Sequence, residues 1–514
     1  MSGRPATTTV IPGKAALSVG CPPSAPPTGW RWVALSEVAE LGSGHTPSRR
    51  VPAYWQGDVP WIGLRDAAAH HGREIADTLQ HVSEAGIANS SARLLPAGTV
   101  CLSRTASVGY VIVMGRDMAT SQDFVTWTTN PSALEPRFLM WALLAEGDDI
   151  RAFGKGTTHT TIYFPEVKAL HVCLPPLGEQ RRIVAKLDTV TTHSAKARAE
   201  LGSVPALAAR YKQALLTAAF LGELTADWRE LNPGSRWPEG AGETMTKRRK
   251  AYVEGRRGSR LQDAPPLMLP GEASDLPQSW ALGCISDTCD LRVGYAFKSE
   301  WFGMTGPRLL RGANVGLGAV DWADERRLDP VRARDFQDHV LHVGDIVIAM
   351  DRPLIAGGLK IAQVDAESDG ALLVQRVANP RLSNLMHARF AWWLLNSDFF
   401  RDQITQHSTG SDLPHVSSND ILTTPCPLPP HDEQQEIARR IDEAIAEIDR
   451  LAADAAAARR LLDRLDQAIL AKAFRGELVP QDPSDEPASA LLDRIRVERQ
   501  FQAPTGRGRK ARAA

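Results

Sequence analysis

Six cysteines in 514 residues are too few for a disulfide scaffold, and none of them (Cys21, Cys101, Cys173, Cys284, Cys289, Cys426) forms a Cys-x-x-Cys pair. That argues against a zinc ribbon and for buried free thiols in a reducing cytosol, so a cytoplasmic protein is expected. No apolar run reaches the roughly 18 residues of a membrane span. Lys plus Arg number 59 against 60 for Asp plus Glu, and a net charge of −1 excludes a wholesale basic coat. Any nucleic-acid contact must come from local patches. Catalytic signatures are absent as well. There is no GxxxxGK[ST] phosphate loop, no GxGxxG after a strand, no HExxH and no Cys/His metal spacing. Asn130-Pro131, Asn232-Pro233 and Asn379-Pro380 lack the second proline and the aromatic residue with which amino-methyltransferases hold a target amine. Glu166-Val-Lys168 has a nuclease-like Glu-x-Lys shape without a partner acidic motif. The chain reads as non-catalytic, with no metal and no cofactor of its own.

What is present is an internal repeat. Leu174-Pro-Pro-Leu-Gly-Glu-Gln-Arg-Arg-Ile-Val-Ala-Lys-Leu-Asp188 recurs as Leu428-Pro-Pro-His-Asp-Glu-Gln-Gln-Glu-Ile-Ala-Arg-Arg-Ile-Asp442, an offset of 254 (428 against 174). Ala219-Phe-Leu-Gly-Glu-Leu224 recurs at the same offset as Ala473-Phe-Arg-Gly-Glu-Leu478. The segment between the anchors therefore has one length in both copies, as a molecular ruler requires. Steps of four and three predict a coiled-coil seam. It runs Ile183, Leu187, Val190, Ser194, Ala197, Leu201, Val204, Ala208, Tyr211, Leu215 in copy one, and Ile437, Ile441, Ala444, Ile448, Leu451, Ala455, Ala458, Leu462, Leu465, Ile469 in copy two. The two helices are expected to pack antiparallel on each other. Pro205 should bend the first locally, and Gly222 and Gly476 fit the far ends.

Upstream of each helix lies a segment of strand and turn character. The expected fold class is α+β, two mixed strand/helix domains each followed by a long helix. The expected order is a disordered N-terminal extension or misassigned start (1–29), a first domain (30–173), a first spacer helix (174–224), a linker (225–277), a second domain (278–427), a second spacer helix (428–478), and a C-terminal helix with a basic tail (479–514). Within the linker a short helix is expected near Thr244–Val253. The domains share buried-strand candidates, Gly98–Ser103 with Val108–Val113 against Gly344–Met350, but hardly share residues.

Loops rich in Gly, Ser and Thr with embedded Arg and Lys can fix phosphates, while Arg, Asn and Gln reach base edges. In the first domain Arg49, Arg50, Arg65, Arg104, Lys155, Thr157 and Thr158 are DNA-contact candidates, and in the second Lys298, Arg311, Asn314, Arg352, Thr409 and Ser411. Spacer candidates are Glu179, Gln180, Ile183, Phe220, Glu433, Gln434, Ile437, Ile441, Leu465 and Phe474.

The duplicated Leu-Pro-Pro-x-x-Glu-Gln-x-x-Ile and Ala-Phe-x-Gly-Glu-Leu motifs, with Gly44-x-Thr-Pro47 and Asp58-Val-Pro-Trp-Ile62, resemble the specificity subunit of a type I restriction-modification system. The resemblance covers nearly all of residues 30–480. It implies two target-recognition domains, each reading half of an asymmetric, interrupted site in double-stranded DNA. It also implies an antiparallel helix pair that docks two methyltransferase subunits, which bind S-adenosylmethionine, and a restriction/translocase subunit dependent on ATP and Mg. A subunit-docking role for the spacer candidates is likewise what the family resemblance implies. Gly294-Tyr-Ala-Phe-Lys298 stands where Gly44-x-Thr-Pro47 would, so the two half-sites should differ. Alternatives are a recognition subunit of a fused methyltransferase-nuclease system, an orphan specificity subunit, and a coiled-coil protein scaffold that binds no DNA.

Overall fold

The two stretches of seam pattern are helices of equal length in the computed structural model, Leu177–Phe220 and His431–Phe474, each 44 residues. The structure describes residues 5–154, 160–255, 266–268, 271–272, 275–355, 358–406 and 415–502. Both helices end alike: Gly222 (φ 82°) and Gly476 (φ 71°) take the left-handed conformation. There the Glu223 and Glu477 N–H groups return to the Ala218 and Lys472 carbonyls, a glycine-closed helix end.

The chain divides into two units, residues 1–202 with 456–514 and residues 203–455. In the first, a five-stranded sheet has the order Ala39–Ser43, Phe124–Thr129, Val100–Ser103, Val111–Met114, Glu74–Ile75. In the second, the order is Cys289–Val293, Val377–Leu382, Ile346–Ala349, Ile361–Gln363, Gly318–Ala319. The side sheets match too. Ala119–Thr120 runs parallel to Val59–Ile62, which pairs antiparallel with His81–Val82. Leu372–Leu373 runs parallel to Phe302–Leu310, which pairs antiparallel with Arg327–Leu328. The strands Val100–Ser103, Val111–Met114 and Ile346–Ala349 are buried throughout, so they read as unbroken apolar runs instead of alternating ones. One topology is thus built twice from different residues.

Within each unit the helix segments are antiparallel. In the first, Ile183, Val184 and Leu187 share a core with Ile469, Leu470, Ala473 and Phe474, and Arg198 pairs with Asp463 (2.9 Å) and Asp466 (2.8 Å). In the second, Ile437, Ile441 and Ile445 share a core with Leu215, Leu216, Ala219 and Phe220, and Lys212 pairs with Asp449 at 2.5 Å. The seam holds at Ile183, Leu187, Ser194, Ile437, Ile441, Ile448 and Ala455, all buried. It fails at Tyr211, Leu451 and Leu465, which are exposed. A helix of 3.6 residues per turn drifts against a strict 3.5 repeat. In the second helix the half-buried stripe therefore moves on to Ala452 and Asp466.

The reading of residues 1–29 as a disordered extension is overturned for the described part. Ile11–Pro12 and Leu17–Val19 pair with each other, and Leu17–Val19 adds antiparallel to Leu170–Leu174. The Cys173 N–H donates to the Ala16 carbonyl at 2.8 Å. Composition missed this because the binding is mostly backbone and one carboxylate. Glu146 Oε1 accepts from the N–H groups of Ala15 (3.1 Å), Ala16 and Leu17 (both 3.0 Å), and Oε2 from Lys14 at 2.5 Å. In the second unit Pro427 stands 254 residues after Cys173 and offers no N–H, so that edge cannot take such a strand. Glu146→Ala would leave these amides unpaired at about 1–3 kcal/mol per buried group. Hydrogen exchange should then show amides 14–17 losing protection while the five-stranded sheet keeps its own; unchanged protection at 14–17 would contradict the assignment.

The repeat also extends past the anchors. Helix Ala241–Gly255 packs Ala241 and Met245 into the second unit, and Ala488–Gln502 packs Ala488, Leu491, Leu492 and Ile495 into the first. Arg249 pairs with Asp287 and Arg496 with Glu37, acids that each follow a tryptophan (Trp280, Trp30) by seven positions. The linker helix expected near Thr244–Val253 is this element, joined by a second short helix, Ala226–Leu231.

Candidate nucleic-acid interface

Each domain is fastened to its helix by the Glu-Gln of the repeated motif. Glu179 accepts from Trp30 Nε1 at 3.1 Å; Glu433 accepts from Trp280 Nε1 at 2.8 Å, from Thr225 at 2.7 Å and from Arg229 at 2.5 Å. Burial pushes the Glu179 carboxyl above its ordinary pKa, because Trp30 only partly offsets the lost hydration. Gln180 accepts from the Glu135 N–H (2.9 Å) and donates to the Ala133 (2.9 Å) and Pro175 (3.0 Å) carbonyls. Gln434 does the same with His387 N–H (2.7 Å) and the Leu385 and Pro429 carbonyls (both 2.9 Å). A third tie is also duplicated: Arg137 and Trp141 converge on Asp188, Arg389 and Trp393 on Asp442. Phe474 lies 5.5 Å from Phe138, and Phe220 5.6 Å from Phe390. Glu179, Gln180, Ile183, Phe220, Glu433, Gln434, Ile437, Ile441 and Phe474 are therefore buried anchors within their units. The docking half of that reading does not hold for them, since no partner can reach them. Leu465 alone of that group is exposed.

This anchoring fixes one polar rim per domain, where the strands of both sheets end. In the first unit, Gly44 lies so close to Thr120 and Ser121 that a Cβ would sit 2.0–2.3 Å from their atoms. The loop after it then runs along the rim. Arg49 stacks on Trp55 (3.7 Å) and donates to Gln80 at 2.9 Å. Trp61 Nε1 holds the His45 carbonyl, and Thr46 donates to Gln122 Oε1 at 2.5 Å. Arg104 lies over Phe164 (4.8 Å), donates to the Gln122 carbonyl at 3.3 Å, and keeps a buried Nε without a partner. Burial lowers its pKa, and the nearby Asp123 carboxylate raises it back in part. Arg49 and Arg104 are thus brought to one rim. Arg50 and Arg65 are exposed, Arg65 on helix Leu64–Ala69. Lys155, Thr157 and Thr158 lie outside the described residues.

The second rim has the same frame with other chemistry. Gly294 makes the approach of Gly44, its Cβ position lying 2.2 Å from the Val374 carbonyl oxygen. Lys298 and Arg332 flank the Trp301 ring at 5.5 and 5.0 Å, and Tyr295 stacks on it. Arg352 is exposed with a left-handed backbone (φ 45°), and Arg376 likewise (φ 64°), conformations unusual for arginine. Asp351 accepts from Arg376 and from His415 Nδ1 at 2.7 Å. Burial pushes its carboxyl up, but those two partners hold it below the usual range. Two candidates are corrected. Asn314 is buried, with its amide bonded to the Asp321 and Asp324 carbonyls and the Arg311 N–H, so it shapes a turn and faces no ligand. Arg311 is paired with Asp324 at 2.9 Å. Thr409 and Ser411 lie outside the described residues.

Sequence reading missed Gln122 and Gln375. They are exposed and occupy one topological place, between the short parallel strand and the sheet strand that follows it. Ser-Gln-Asp123 and Val-Gln-Arg376 share only the glutamine, and no signal short of aligned strands could have paired them. Around them the charges are exchanged: Arg104 near Asp123 in one rim, Asp351 with Arg376 in the other.

Comparison with known proteins agrees with this frame. Residues 27–201 match the family model described as Type I restriction modification DNA specificity domain. The specificity subunit of the type I restriction enzyme EcoAI of Escherichia coli is 31% identical over 271 residues, 52% of this chain and 43% of the relative. That of EcoDI, also from Escherichia coli, is 27% identical over 385 residues, 73% of this chain and 79% of the relative. The crystal structure of the HsdS subunit from Thermoanaerobacter tengcongensis superposes with a TM-score of 0.55 at 20% identity, covering 89% of this chain and 99% of that one, a likeness of fold.

Proposed function

We propose that this chain, similar to type I restriction-modification specificity subunits, is the part of such a complex that chooses the DNA sequence. Each rim reads one half of a bipartite, asymmetric site in double-stranded DNA, and the chain itself carries no catalysis. Two adenine methyltransferase subunits, bringing S-adenosylmethionine, and a restriction/translocase subunit, bringing ATP and Mg, complete the complex in the cytoplasm. No described helix is long and apolar enough to cross a membrane. The observation that carries the reading is the pair of rims: one frame built twice, with a glutamine at the same place and opposite charges beside it. Glutamine can make two hydrogen bonds to the major-groove edge of adenine and arginine two to that of guanine, so rims that differ in charge select different half-sites.

The test is methylome sequencing of a host that carries the methyltransferase partner, with and without this chain. An interrupted two-part adenine motif should appear only with the chain. The purified chain alone should transfer no methyl group to DNA. Methyl transfer by the single chain, or an uninterrupted motif, would overturn the proposal.

A further inference from the structure

Gln122 and Gln375 each sit in a four-residue turn closed by a backbone hydrogen bond. The Phe124 N–H donates to the Ser121 carbonyl at 3.3 Å, and the Val377 N–H to the Val374 carbonyl at 3.2 Å. The residue after each glutamine is then tied to the loop that leaves the central strand of its sheet. The Arg104 N–H donates to the Asp123 carbonyl and the Met350 N–H to the Arg376 carbonyl, both at 2.8 Å. These bonds align Thr105 with Asp351 and Asp123 with Arg376. The next loop residue, Ala106 (φ 60°) or Arg352 (φ 45°), is left-handed in both units. Residues other than glycine seldom adopt that backbone, and where they do it clusters at functional sites.

One side-chain bond crosses from loop to turn in each unit, and its polarity is reversed between them. Thr105 Oγ1, on the loop, donates to Asp123 Oδ1, on the turn, at 2.8 Å. In the second unit the acid stands on the loop and the donor on the turn: Arg376 donates to Asp351 Oδ2. Each acid has a second partner nearby, the Ser121 hydroxyl (3.0 Å) for Asp123 and His415 Nδ1 (2.7 Å) for Asp351. The backbone bonds already close the frame without these side chains. The Arg376 side chain is 63% exposed, and ion pairs so open to water add little to stability. The tie is nonetheless present in both units, although neither of its residues is shared. Packing does not ask for it, but the glutamine does. A two-bond contact to a base edge tolerates only small errors of position, and the tie lies one residue along from the side chain to be aimed.

We propose that Thr105 with Asp123, and Asp351 with Arg376, are equivalent positioning pairs. Each ties the strand loop to the glutamine turn and sets the pose in which Gln122 or Gln375 meets a base edge. The inference rests on the proposed function, in which each rim reads one half-site. The tie needs one donor and one acceptor, whichever side each stands on, so a pair is exchangeable as a unit. Aspartate adopts the left-handed backbone of Arg376 more readily than arginine does, so the exchange adds no strain there.

The test exchanges the second pair for the first in the full chain, co-expressed with the methyltransferase partner and read by methylome sequencing. Asp351→Thr leaves the Arg376 guanidinium without its loop partner, and Arg376→Asp sets two carboxylates against each other. Each single variant should lower discrimination at the base read by Gln375 about tenfold, with the other half-site unchanged. D351T/R376D rebuilds a threonine–aspartate tie and should return discrimination to within about twofold of wild type. In the first unit T105D should fail alone, and T105D/D123R should restore the motif in the same way. Unfolding temperatures should stay near wild type throughout, because the pairs are open to water. Single variants with an intact motif, or a double variant no better than the worse single one, would overturn the positioning pairs. The proposed function would then still stand, since the wild-type chain would direct a two-part motif. Methylation weakened alike at every position, and not restored in the double variant, would make Arg376 a phosphate contact and overturn them too. A wild-type chain that directs no methylation would overturn both readings.

Discussion

Gln180→Leu is expected to lower the unfolding temperature of the first unit sharply and leave the second nearly unchanged, with Gln434→Leu doing the reverse. The fully buried amide of Gln180 satisfies three backbone groups, two buried carbonyls and one half-buried N–H. An orphaned buried group costs about 1–3 kcal/mol, so the loss is on the order of several kcal/mol even after partial relaxation. Leucine preserves the volume and removes only the hydrogen bonds. Calorimetry should resolve the effect because the chain holds two units and need not unfold in one step. Two transitions that move together, or not at all, would show that the Glu-Gln motif is not the fastening of each domain. In methylation, Gln180→Leu should weaken recognition of one half-site and Gln434→Leu of the other.

Gln122→Ala should relax base choice at one position of one half-site, and Gln375→Ala at one position of the other. A well-placed bidentate contact is worth roughly 1–3 kcal/mol of discrimination, about 5- to 150-fold between right and wrong base. The two substitutions act on separate rims, so their effects should add. Arg50→Ala, at an exposed cation, should instead weaken binding across all sequences and reduce its salt dependence, as a phosphate contact does. Methylome sequencing separates the outcomes: a motif degenerate at one position, or an intact motif methylated less completely. Degeneracy in both half-sites from Gln122→Ala alone would contradict the assignment of one rim to one half-site.

The amino-acid sequence by itself determined the long-range plan of this protein. Two motifs at one offset, with nothing inserted between them, required two helices of equal length, and both are 44 residues. Local signals sufficed there, because a helix repeats its pattern every few residues and its glycine ends are decided within one turn. Tertiary structure decided everything that depends on residues distant in the chain. The amides of residues 14–17 look like a loose tail until Glu146, some 130 positions away, closes on them. Asn314 looks like a base reader until the turn folds and its amide is used up inside it. Tyr211 and Leu465 fit the heptad arithmetic, but a 3.6-residue helix turns them outward before the repeat returns. The matching rims escaped the sequence for the deepest reason. A sheet specifies burial and backbone pairing, which many residues satisfy, so two domains can share a topology while sharing few side chains, and the glutamines meet only once the strands are laid side by side.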